Sequence, residues 1–156
     1  VTGSPDPGLA ATREQLIDGV LRHDIRVIFG DTDQMGVVYY ANYLRYFEGA
    51  RAAYWRGLGR SYKDLEAWGV ALPVVEAQCF YRRPAFYEDV LGVETWVSEL
   101  RAASLRFGYA IRRGAELVAE GTTRHAVLGR DGRLRALPPM LRDAIPSIRR
   151  GPSRPL

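Results

Sequence analysis

Residues 40–57 constrain this chain more than any other stretch. Tyr43, Phe47, Ala50 and Tyr54 recur at three- and four-residue spacing, and Leu44, Tyr46 and Ala53 widen the stripe. This is the pattern of a helix too apolar to lie on a surface, so a second layer must cover most of it. Gly57 and Gly59 end it. The rest of the chain offers sheet for that covering. Strand patterns occur near residues 21–29, 71–82, 88–100, 104–113 and 116–129. Ile25, Val27 and Phe29 are expected on one face of the first, with Asp24 and Arg26 on the other. Val93, Thr95 and Val97 alternate with Glu94, Trp96 and Ser98, and Leu105, Phe107 and Tyr109 with Arg106, Gly108 and Ala110. Period-two alternation marks half-buried strands. The expected class is α+β, in the order strand, long buried helix, short helix, then four antiparallel strands.

Lesser signals fill in the organisation. Ser61, with Asp64 three residues on, can cap a short helix over residues 62–68 that Gly69 closes. Arg113–Gly114–Ala115 is a connection of hairpin length. Residues 130–133 read as a turn, and Pro138 and Pro139 can start a last helical turn. With 156 residues the chain suits one domain, which buries about 70% of its unfolded surface. Residues 1–20 are expected as an N-terminal extension, loose over 1–9 and a short helix over 10–19. Residues 21–145 form the domain, and 146–156 a flexible basic tail.

Composition excludes several classes. With 47% apolar and 26% charged residues the chain is not of disordered type. No apolar run approaches the roughly 18 residues of a membrane span. The first residues lack a basic start followed by an apolar block, so no secretory leader is expected. Cys79 alone can form neither an internal disulfide nor a structural zinc cluster, and His23 and His125 are scattered. No metal site is expected, His23 reads as a surface residue and His125 as structural, and the natural compartment is the cytoplasm. The net charge of +4 invites a nucleic-acid reading. Its placement argues otherwise, because residues 121–156 hold eight arginines and two acids, whereas residues 1–120 hold fourteen cations and sixteen acids. No nucleic-acid partner is expected.

The richest segment is residues 26–51, RVIFGDTDQMGVVYYANYLRYFEGAR. A pair of acids in a glycine-bearing turn before a helix is often turn and cap chemistry alone. On that reading Asp31 hydrogen-bonds its own backbone and Thr32 is structural. Glu48 has Arg45 and Arg51 each three residues away, the spacing of a surface ion-pair cluster. Tyr39, Tyr40, Tyr43, Phe47 and Trp55 fit either a core or an aromatic-friendly pocket.

The same segment resembles the hotdog-fold acyl-CoA thioesterases of the 4-hydroxybenzoyl-CoA thioesterase type, and within them the branch linked with the Tol-Pal operon. The residues that carry the likeness are Phe29, Asp31, Thr32, Asp33, Gly36, Val37, Val38, Tyr39, Asn42 and Tyr43, with Glu48 and Arg51 further along the helix. FYRRPAFYEDVLGVET at 80–95 and ELRAASLRF at 99–107 extend it, so that it covers residues 22–145. The resemblance implies a five-stranded antiparallel sheet wrapped around the central helix. It implies a homodimer or homotetramer with the active site at a subunit interface. The implied substrate is a short- or medium-chain or aromatic acyl-CoA thioester, with CoA as part of the substrate and no separate cofactor.

The resemblance also points to residues. Asp33 is the implied catalytic carboxylate, and the backbone N–H of Tyr40 the implied oxyanion donor. The chemistry suits them: thioester hydrolysis needs a nucleophile or base, and N–H groups at a helix start can receive the developing negative charge. A related branch keeps its acid on the central helix, which makes Glu48 a secondary candidate. Tyr40 stands where the Tol-Pal-linked branch has histidine, so no side-chain role is carried over. The family's basic run for the CoA phosphates is reduced here to Arg101–Ala102–Ala103. Arg82, Arg83, Arg106 and Ser104 complete the candidate substrate-binding set. Two rival classes are a non-catalytic acyl-CoA-binding or scaffold protein, and a hydratase or dehydratase with a catalytic histidine. His23 and His125 lie outside the motif that the latter would need.

Overall fold

The computed structural model describes residues 14–146. Its strands are β1 (Leu16–Ile17), β2 (Val20–Arg26), β3 (Val70–Ala71), β4 (Val74–Tyr81), β5 (Val90–Leu100), β6 (Ser104–Arg113), β7 (Glu116–Ala126) and β8 (Leu128–Gly129). The helices are α1 (Asn42–Gly57), α2 (Tyr62–Ala67) and α3 (Pro139–Ala144). One antiparallel sheet runs in the order β1-β2-β5-β6-β7-β4, and β3 pairs with β8 beside it. α1 lies in the hollow of the sheet, against β2 and β5.

The aromatic stripe of α1 meets the inner residues of β6. Phe47 stacks on Tyr109 with ring centroids 4.2 Å apart, while Tyr54 and Trp55 meet Phe107 edge-on. All of these rings are buried. Phe47 and Trp55 therefore belong to the core and not to a substrate pocket. Gly121 on β7 makes room for this layer, because a Cβ there would lie 2.2 Å from the Gln78 carbonyl oxygen and 2.9 Å from the Phe47 ring.

Five sequence expectations are corrected. The sheet has six strands, not five, because β1 folds back on β2 with Leu16 opposite Leu21. Asp18 and Gly19, both at positive φ, make the tight turn between them. The short helix expected over 10–19 is thus absent from residues 14–19, where pairing with β2 overrides helix propensity. Its first residues, the loose stretch 1–9 and tail residues 147–156, including Arg149 and Arg150, lie outside the described residues.

The first strand stops at Arg26, and Phe29 opens a 3-10 turn with three-quarters of its surface exposed. The central helix begins at Asn42, not Tyr40. The strand patterns 71–82 and 116–129 each split in two, giving the small β3–β8 ladder. The capping box at Ser61 forms as expected, with the Asp64 N–H donating to the Ser61 hydroxyl and the Ser61 N–H to the Asp64 carboxylate.

A buried polar chain ties α1 to the sheet and fixes a tautomer. His125 is 1% exposed and its Nδ1 lies 2.9 Å from the Leu72 carbonyl oxygen, which can only accept. Nδ1 therefore carries the proton, and Nε2 accepts from the Thr123 hydroxyl at 2.8 Å. Thr123 in turn accepts from Tyr109, and Tyr109 from Arg51 at 3.1 Å.

Burial holds the His125 pKa down to about 4. The unfolded chain takes up a proton near pH 6.5, whereas the folded one does so only near 4, so stability falls as the pH drops between those values. Urea unfolding is expected to show a loss on the order of 3 kcal/mol over that window. His125→Gln is expected to flatten that slope, and an unchanged slope would assign it to other groups.

Candidate active site

Residues 29–42 form a series of short-range bonds that set one carboxylate in front of a helix start. The Thr32 hydroxyl donates to the Phe29 carbonyl at 2.7 Å, as a structural residue should. The Asp33 N–H donates to Val37 O, and the Gly36 N–H to Asp33 O, each at 2.9 Å. Gly36 sits at φ 76°, a conformation that glycine adopts at least cost. Asp33 thus stands at the tip of a tight loop closed by the Thr32–Val38 bridge. Its Oδ1 accepts the Met35 N–H at 2.8 Å, and its Oδ2 has no partner among the described residues.

Asp31 departs from expectation. It is buried, and its carboxylate reaches across to α1, where it pairs with Arg45 and accepts from the Tyr46 hydroxyl at 2.7 Å. Its carbonyl accepts the Tyr39 N–H and the Asn42 side-chain amide, both at 2.9 Å. Burial, with this carboxylate beside it, pushes the Tyr46 hydroxyl well above its usual pKa. Asp31 therefore bolts the loop to the helix, while Asp33 is left facing outward.

A cleft of about 320 Å³ opens where the loop meets the helix, and Asp33, Tyr40, Tyr43, Tyr81, Arg82 and Arg83 line it. Tyr40 precedes α1 by two residues, and its N–H has no acceptor among the described residues. The backbone N–H groups of Arg82 and Arg83 both donate to Val118 O, which turns the chain as it leaves β4. Arg82 pairs with Glu120 at 3.1 Å, whereas the Arg83 guanidinium has no ion pair among the described residues. The cleft is thus lined by an acid, by a residue whose backbone donor is unused among the described residues, and by two arginines.

The other candidates stand elsewhere. Arg106 is held by Glu76 at 2.7 Å and Glu99 at 3.4 Å, and Arg101 also pairs with Glu99. The Ser104 carbonyl accepts the Arg101 N–H. Arg106 lies opposite Arg124 on β7, whereas Arg82 and Arg83 meet that strand at Val118, about 20 Å away at strand rise. Within one chain these three residues do not join the cleft.

Glu48 is exposed and lines a separate groove with Arg26 and Arg45. The ion-pair cluster expected around it does not form, because Arg45 turns to Asp31 and the buried Arg51 bonds Tyr62 and Tyr109. Sequence reasoning missed Tyr81, whose hydroxyl donates to the Tyr40 carbonyl at 2.9 Å. Its only signal was its place just before the Arg82–Arg83 pair. Among the described residues no cluster of histidine, cysteine and acids suits a metal ion, and no helix is long and apolar enough to cross a membrane.

An antiparallel sheet curled around one long helix, with an acid-bearing loop feeding the helix start, is the hotdog arrangement. Residues 27–145 match the thioesterase-like superfamily, and the chain belongs to it. It is 35% identical over 112 residues to the acyl-CoA thioesterase YbgC of Haemophilus influenzae, covering 71% of this chain and 82% of that protein. It is 35% identical over 122 residues to the 1,4-dihydroxy-2-naphthoyl-CoA hydrolase of Synechococcus elongatus, covering 76% and 90%. Among solved structures it superposes with a TM-score of 0.72 on 4-hydroxybenzoyl-CoA thioesterase, an Asp-to-Asn variant in complex with 4-hydroxybenzoyl-CoA. That pair is 26% identical, over 81% of this chain and 99% of the other.

Proposed function

We propose that this chain hydrolyses acyl-CoA thioesters in the Asp33 cleft, releasing the free acid and CoA. The observation that carries the reading is that Asp33 and Tyr40 line one cleft, while Asp33 Oδ2 and the Tyr40 N–H have no partner among the described residues. The acyl carbonyl accepts from the Tyr40 N–H, which stabilises the oxyanion as it forms. Asp33 then follows one of two routes. In the first, its oxygen attacks the carbonyl carbon and CoA leaves as the thiolate. The resulting acyl-aspartyl anhydride is cleaved by water. In the second, Asp33 takes a proton from water as the hydroxide attacks, and passes it to the departing thiolate. Arg83 and Arg82 suit the phosphates of CoA, which belongs to the substrate, so no separate cofactor is required.

Tyr40, Tyr43 and Tyr81 give the cleft aromatic walls, and two of the relatives described above bear the names of aromatic acyl-CoA substrates. Among the described residues β4 has a neighbour on one side only, which supports pairing of subunits into a homodimer or homotetramer. The lone free thiol of Cys79 suits a reducing cytoplasm.

The test is thiol release from a panel of acyl-CoA thioesters graded by chain length, with benzoyl and phenylacetyl members. Turnover of at least one aromatic or short- to medium-chain member is expected. Binding without release across the whole panel would favour the non-catalytic, acyl-CoA-binding role.

A further inference from the structure

We infer that Tyr81 is a positioning residue, whose hydroxyl holds the Tyr40 backbone so that the Tyr40 N–H points into the cleft. The inference rests on the reading of Tyr40 as the oxyanion donor. A backbone donor serves an oxyanion only if its direction is fixed before the charge develops. Tyr40 lies outside the regular turns of α1, so the helix ladder does not fix it.

Two bonds do so instead, one on each side of the residue. The peptide between Tyr39 and Tyr40 is held by the Asn42 N–H, which donates to the Tyr39 carbonyl at 2.9 Å. Because N–H and C=O point opposite ways across a trans peptide, this bond turns the Tyr40 N–H away from the helix interior. The next peptide, between Tyr40 and Ala41, is held by the Tyr81 hydroxyl, which donates to the Tyr40 carbonyl at 2.9 Å. That bond spans 41 residues and joins the end of β4 to the approach of α1.

The Tyr81 ring is itself braced. It meets Tyr43 edge-on at 5.2 Å and Tyr40 at 6.5 Å. Burial raises its pKa to about 12, so the hydroxyl keeps its proton and remains a donor at neutral pH. Tyr81→Phe keeps the ring contacts and deletes the bond to Tyr40, along with the hydroxyl's contact to the Cys79 thiol.

The expected result for Tyr81→Phe is a fall in kcat of about tenfold, with KM within about twofold of the parent and an unchanged melting temperature. A role confined to packing would leave kcat unmoved. A second readout comes from the carbonyl stretch of bound benzoyl-CoA, measured in the slow Asp33→Asn background. Binding is expected to lower that frequency, and adding Tyr81→Phe to return it part of the way to the free value. Parental kcat together with an unmoved stretch would overturn the inference. No lowering on binding even with Tyr81 intact would instead overturn the oxyanion role of Tyr40 itself.

Discussion

Asp33→Asn is expected to lower turnover about 10²-fold or more while the protein melts at its usual temperature. A loss of that size is about 2.7 kcal/mol of transition-state stabilisation. The amide has the shape of the carboxylate, and its oxygen can still accept the Met35 N–H, so the loop keeps its form. What is lost is the charge on Oδ2, the oxygen without a partner among the described residues, and with it the nucleophile or base. Initial rates and thermal melts of parent and variant measure both halves of the expectation. Near-parental hydrolysis by the variant would remove Asp33 from the chemistry. Single turnover in ¹⁸O-water tests the first route, since label in Asp33 shows that its own oxygen attacked and that water then opened the anhydride at the aspartyl carbon.

The largest effect on stability is expected at Phe47. Its ring is fully buried, stacks on Tyr109 and fills the space that Gly121 leaves over β4. Phe47→Ala would open a cavity that this layer cannot close, because Gly121 has no side chain to move into it. The expected cost is about 3–5 kcal/mol. For a domain of this size that corresponds to a melting temperature lower by about 6–20 °C. Chemical denaturation should show the same loss in midpoint with an unchanged slope. A loss below about 1 kcal/mol would mean that the sheet can collapse onto α1.

The legible part of this molecule is the part with a period. The stripe from Tyr43 to Tyr54 repeats like a helix, and the alternations through Val93–Val97 and Leu105–Tyr109 repeat like strands, so helix, sheet and their contact all follow. Boundaries were harder. Phe29 continues the alternation of β2 in sequence but sits in an exposed turn, and Glu14, Gln15 and Leu16 are good helix formers, yet Leu16 pairs as a strand with Leu21.

Among the candidate site residues, Asp33, Tyr40, Arg82 and Arg83 do share one cleft. The misjudged ones depend on distant partners. Asp31 looks like a turn acid until Tyr46, fifteen residues on, is brought to it. Arg106 looks free until Glu76 arrives from β4. Tyr81 and Tyr40 are separated by 41 residues, and no local pattern announces their bond.

The eight residues of β4 answer to two demands at once. A strand with one open side is commonly shielded by a proline or a charge placed midway along it. On β4 that charge is Glu76, held by Arg106 and Arg124, while Val74 and Val75 before it stay half exposed and apolar. A proline nearer the other end would disturb the register from Gln78 to Tyr81 against β7, and that register delivers Tyr81, Arg82 and Arg83 to the cleft. The pairing of the edge and the shape of the cleft therefore draw on the same short stretch. Changes that alter how this edge pairs would be tolerated at the Val74 end and resisted at the Tyr81 end.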